Sequence, residues 1–123
     1  MPQYALLLSG PINNHDHLSP QEIQTLIGRY AAWRDGLIKQ NLLRGSQKLV
    51  DRTGRRMRTQ NGKLFVTEGP FSESQEVLGG FFVIEVPGYN EAVELAKTCP
   101  HMVDGNLIEI RELDFMVPPP AQH

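Results

Sequence analysis

The stretch Leu18–Lys39, LSPQEIQTLIGRYAAWRDGLIK, decides the fold, because it reads as a helix with a defined start and one apolar face. Ser19 is placed to cap, Pro20 suits the first helical position, Glu22 completes a capping box with Ser19, and Leu18 can staple to Ile23. From there Ile23, Leu26, Ile27, Tyr30, Trp33, Leu37 and Ile38 recur near a 3.6-residue period, which predicts a helix lying on a sheet until about Gln40. Gly28 and Gly36 interrupt it at a cost of about 1 kcal/mol each relative to Ala, and either close helix packing or ligand approach would explain them.

On the N-terminal side, Gln3–Ser9 is apolar on both alternating faces, as in a central strand covered from both sides, and stops at Gly10-Pro11. A polar loop through Asn13, Asn14, His15, Asp16 and His17 leads into the helix. On the C-terminal side, Leu49-Val50, Met57 and Lys63–Thr67 read as short strands, with Asn61-Gly62 as a hairpin turn. Phe81–Val86 is a second two-faced strand, closed by Pro87-Gly88. Asn90 is the expected cap of a short helix that turns Ala92, Val93, Leu95, Ala96 and Cys99 inward and ends at Pro100. Leu107–Leu113 alternates as a last strand, Ile108 and Ile110 on one face, Glu109 and Arg111 on the other.

This order gives an α+β class and a ferredoxin-like split βαβ sandwich, with an antiparallel sheet and both helices on one face. The domain spans residues 1–114, and a Pro-rich tail follows over 115–123. The opposite sheet face needs a cover. Phe65, one of Phe81 or Phe82, and Leu107 would project from it, so a homodimer packed sheet against sheet is expected.

A chain of 123 residues fits one core. Its net charge of -2 argues against strong nonspecific attraction to nucleic acid or anionic membrane. The lone Cys99 cannot form an internal disulfide and fits a reducing compartment. MPQYALLLSGP has too short an apolar run, and no basic leader, for a signal peptide or a membrane span. The expected location is cytoplasmic.

Between the hairpin and the next strand lies TEGPFSESQEVLGGFF, Thr67–Phe82, with more backbone-special residues than a plain connection needs beside Glu68, Glu73 and Glu76. That suggests a shaped wall. The longer string VTEGPFSESQEVLGGFFVIEVPGYNEAVELAKTCP, with the opening strand YALLLSG, the SPQE helix start and the closing IEIREL, resembles the DGPF branch of the YCII-related family to about Leu113. Glu68 stands where the branch motif begins with Asp, which lengthens the acid arm by one methylene. The resemblance implies a ferredoxin-like fold that dimerises in the manner of dimeric α/β barrels, with a cleft lined by the motif loop. The helix His of the YciI-like branch, part of its His–Asp dyad, falls near Tyr30, so that dyad is expected to be missing. Fusions of similar domains to sigma factors imply a link to transcription initiation.

Within that wall, Gly69 permits close backbone approach, Pro70 fixes a turn, Phe71 offers an aromatic face, and Glu68 would be a base if desolvated. The competing reading is a rigid scaffold loop whose acid bonds backbone amides along a dimer seam. Glu73 and Glu76 fit a solvated loop. Tyr30 and Arg34, four apart, share a helix face and together suit an acidic small molecule, although Tyr30 also fits the core stripe. His15-Asp16-His17 holds metal-ligand residue types on a loop that sets no geometry, so no metal is expected. Cys99 reads as packing and His101 as a residue near a cleft. Arg52, Arg55, Arg56 and Arg58 form a basic hairpin without adjacent stacking aromatics, so nucleic-acid binding is not expected. Gly79-Gly80 precedes a strand and not a helix, so neither ATP nor NAD is implied and no cofactor is expected.

Two functions follow. The first is a cleft for a small anionic or aromatic metabolite, in an acid–base enzyme of lyase or isomerase type, with Glu68 as proton carrier. The second is a non-enzymatic module that meets a transcription component through the tail or the arginine hairpin.

Overall fold

The computed structural model describes residues 1–11, 15–69 and 76–116. Along the chain run β1 (Gln3–Gly10), α1 (Pro20–Lys39), β2 (Leu43–Lys48), β3 (Arg55–Gln60), β4 (Lys63–Glu68), β5 (Val77–Glu85), α2 (Tyr89–Ala96) and β6 (Leu107–Glu112). Four strands form an antiparallel sheet in the order β2-β5-β1-β6, and β3 and β4 pair only with each other. The result is an α+β domain consistent with a ferredoxin-like plan into which a hairpin is inserted. Neither helix is long and apolar enough to cross a membrane.

α1 starts as its sequence dictates: the Glu22 N–H donates to Ser19 Oγ at 3.1 Å, and the Ser19 N–H donates to the Glu22 carboxylate at 3.0 Å. Its buried stripe is narrower than the periodicity suggests. Tyr30, Trp33 and Leu37 meet the core, whereas Ile27 and Ile38 are exposed. Gly28 and Gly36 face open space, so close helix packing does not account for them.

The core lies between the helices and one sheet face, where Tyr4, Leu6, Leu8, Phe82 and Ile84 meet Leu37, Ala92, Ala96 and Cys99. Phe82 packs edge-on against Trp33 at 4.9 Å, and Tyr4 does the same with Tyr89 at 4.7 Å. Ala5, Leu7, Phe81 and Val83 alternate onto the opposite face through the register Ala5↔Val83 and Leu7↔Phe81. Phe65, expected there, instead sits on β4 in the separate hairpin and is half exposed.

Several boundaries differ from the sequence reading, among them the end of α2, at Ala96 and not Pro100. The strand expected at Leu49-Val50 is Leu43–Lys48, an edge strand held by backbone bonds to β5, with Leu43 its one apolar side chain against the core. β5 begins at Val77, so Gly79-Gly80 lies inside a strand. A Cβ on Gly80 would come within 2.8 Å of the Gln47 carbonyl oxygen, and the β1–β5 register shifts between Leu8 and Ser9 beside Gly79. At α2 the cap is Gly88, with no side-chain capping bond, and Asn90 lies within the helix. The hairpin turn is as expected, with Asn61 at φ 53° and Gly62 at φ 76°.

Candidate functional site

The N-terminal half of α1 does not join the core. Ile23, Leu26 and Ile27 instead line a cleft of about 1030 Å³ whose other walls are the C-terminal ends of β1 and β2 and the start of β5. Leu8 and Phe82 give it apolar surface on the helix-facing side of the sheet, and Leu78 and Phe81 border it from the other face. Among the described residues its lining carries five cationic side chains, Arg34, Lys48, Arg52, Arg55 and Arg56, against the carboxylates Asp16, Asp51 and Glu76. Asp16 is taken by Arg52 and Asp51 by Lys48, while Arg34 pairs with Asp35, off the lining, at 3.4 Å. The cleft is therefore cation-rich within a chain of net charge -2.

Two hydrogen bonds, one helical turn apart, tie α1 to the segment after α2, and the partners of the second line the cleft. The Trp33 indole N–H donates to Thr98 Oγ1 at 2.8 Å, and the Tyr30 hydroxyl lies 3.0 Å from His101 Nδ1. His101 Nε2 lies 2.8 Å from the Ser9 carbonyl oxygen, and the Asn106 side-chain amide donates to the His101 carbonyl at 3.0 Å. A carbonyl oxygen only accepts, so Nε2 carries the imidazole proton. Nδ1 is then a bare acceptor, and the Tyr30 hydroxyl donates to it. Burial holds His101 below its ordinary value against the pull of the Ser9 and Leu107 carbonyls, and His15 acts in the same direction as burial. Burial, with a smaller contribution from Cys99, pushes the Tyr30 phenol up to about 12. The pair is neutral at physiological pH.

Tyr30, Arg34 and Gly69, named from the sequence, all line the cleft. Pro70 and Phe71 lie outside the described residues, as do Glu73 and the tail from Val117. Glu68 closes β4 opposite Arg55, is exposed, and is not on the lining although Gly69 beside it is. Cys99 is buried in the core, as its packing role requires. Arg55 and Arg56 rim the cleft, a position that a hairpin read only as a contact surface did not anticipate. The partnership of Tyr30 with His101 was also not legible. Seventy-one residues separate them, and a lone His after a Pro carries no local signal of its partner.

No curated protein shows significant similarity to the chain. The profile of the YCII-related domain family matches residues 5–115, and the chain belongs to that family.

Proposed function

We propose, taking membership of the YCII-related family as the premise, that this chain binds a small anionic or aromatic metabolite in the cleft between α1 and the ends of β2 and β5. The observation that carries this reading is the joining of apolar surface and a surplus of cations in one concavity of about 1030 Å³. Arg34 receives the anionic group, and the guanidinium suits it because its planar donors match a carboxylate. Ile23, Leu26 and Ile27 of α1, with Leu8 and Phe82 from the facing side of the sheet, hold the body of the ligand.

The Tyr30–His101 pair supports acid–base chemistry of the lyase or isomerase kind. A proton taken from the ligand by Tyr30 Oη is matched by transfer of the phenol proton to His101 Nδ1, leaving an imidazolium beside an anionic ligand. This moves the proton-carrying role from Glu68 to Tyr30. Pro70 and Phe71, read from the sequence as part of the wall, remain candidates for ligand binding. Arg55 and Arg56 on the cleft rim favour this reading over a transcription-linked contact surface.

The working unit is a pair of copies. Met57, Leu64, Phe65 and Val66 are 48–67% exposed on a hairpin whose strands pair with nothing else among the described residues. A lone two-stranded hairpin is marginal in water.

A thermal-shift screen of small carboxylates, phenols and lactones on wild type and Arg34→Gln tests the binding. A ligand at 100 times its Kd adds about 2.7 kcal/mol, several degrees in Tm, and Arg34→Gln removes the shift for carboxylates. No shift from any carboxylate or phenol in wild type would contradict the proposal.

A further inference from the structure

The cleft's polar groups are not interchangeable, and their proton inventory narrows the ligand. A phenol has one proton and two lone pairs. At Tyr30 the proton is committed to His101 Nδ1, because the only proton of the neutral imidazole is committed to the Ser9 carbonyl. Tyr30 therefore offers the cleft lone pairs alone. Arg34, one turn further along the same face of α1, offers N–H donors alone. A bare carboxylate satisfies Arg34 and leaves Tyr30 unpaired or facing another acceptor, which costs free energy in a partly buried site. An ammonium would satisfy Tyr30 but meets Arg52, Arg55 and Arg56 on the walls. A neutral hydroxyl satisfies it without that repulsion.

We infer that His101 fixes Tyr30 as a hydrogen-bond acceptor, so that the cleft selects a hydroxylated carboxylate over the same acid without a hydroxyl or with that hydroxyl methylated. The inference rests on the reading of the cleft as an anion site. The apolar surface of Ile23, Leu26 and Ile27 on α1, with Leu8 and Phe82 on the facing side of the sheet, suits an aromatic ring beside the two groups, so the ligand class is a hydroxyaryl carboxylate. His101 is a positioning residue in this scheme, acting on the ligand through Tyr30.

Two measurements test it. The first needs no ligand: side-chain ¹⁵N NMR of histidine in the full chain at neutral pH, with His101 assigned by its loss in His101→Gln. A neutral ring protonated at Nε2 is expected, and a ring protonated at Nδ1 overturns the inference. The second compares binding of benzoate, the three monohydroxybenzoates and their methyl ethers by calorimetry. In wild type the best hydroxybenzoate binds about tenfold tighter than its ether and than benzoate. Tyr30→Phe, checked for an unchanged melt, brings the three together, while Arg34→Gln weakens all of them. Equal binding of hydroxybenzoates and ethers in wild type, or a preference that persists in Tyr30→Phe, overturns the inference and leaves the anion site standing. If no probe binds wild type, the anion site and this inference fall together.

Discussion

Replacing Gly80 with Ala adds a single methyl group where the strands leave no space. An ideal Cβ there lies 2.8 Å from the Gln47 carbonyl oxygen and 3.4 Å from Lys48 Cα, and both are backbone atoms of the paired strand β2. Neither can rotate away. Relief requires the end of β2 to move off β5, which strains the Leu49 N–H bond to the Gly79 carbonyl, now 2.9 Å. Overpacking of this kind costs about 1–3 kcal/mol, and a lost backbone bond adds about 1 kcal/mol. Removing glycine's freedom in the unfolded chain returns about 0.4–1 kcal/mol. The net loss is about 2 kcal/mol, which at this chain length lowers Tm by about 8 °C. Circular-dichroism melts at fixed protein concentration measure it. A Gly80→Ala variant melting within about 2 °C of wild type would refute the close approach of β2 to β5. Because Gln47, Lys48 and Gly80 all line the cleft, the folded variant should also bind cleft ligands more weakly.

The same substitution at Gly28 should have the opposite sign. Nothing lies within 4 Å of a Cβ there, so Gly28→Ala should stabilise by up to about 1 kcal/mol, read from denaturant midpoints at constant m-value. Ser19→Ala removes the acceptor for the Glu22 N–H and should cost about 1 kcal/mol in the same assay. Stability should fall on both sides of neutrality through the Tyr30–His101 pair. His101 is held below its unfolded value, so the unfolded chain takes up a proton first as pH falls below about 6.5. Tyr30 is raised to about 12, so the folded chain keeps a proton that the unfolded chain loses above about 10. Each limb is bounded by one proton, about 1.4 kcal/mol per pH unit. The profile of His101→Gln should have a flatter acid limb than wild type, and an acid limb unchanged in that variant would count against a buried neutral His101.

What the sequence made legible follows from which forces are local. The start of α1 is written in four adjacent side chains, and the β3–β4 turn in Asn61 and Gly62, because capping and left-handed backbone are decided within a turn. β6 shows its inward face by alternation, and β1 shows its central place by being apolar on both faces. The edge strand β2, LRGSQK, does not, since it is held by its backbone ladder to β5 and its composition reports nothing of that. Gly79-Gly80 reads as loop punctuation, while in the sheet the glycines admit a close neighbour beside a register shift. At the site, Tyr30 and Arg34 were legible because helical spacing puts them on one face. His101 read as near a cleft, but its pairing with Tyr30 was not legible, because only the sandwich brings the segment after α2 onto α1.

Under the proposed function, ligands enter between the N-terminal half of α1 and the ends of β2 and β5. The most direct measurement is a titration of ¹⁵N-labelled protein with 3-hydroxybenzoate, following backbone amides. The account predicts saturable shifts centred on Tyr30, Arg34, Gly79, Gly80 and His101, with Tyr89 and Glu112 unmoved. Shifts confined to the β3–β4 hairpin or to the face carrying Ala5 and Val83 would contradict it.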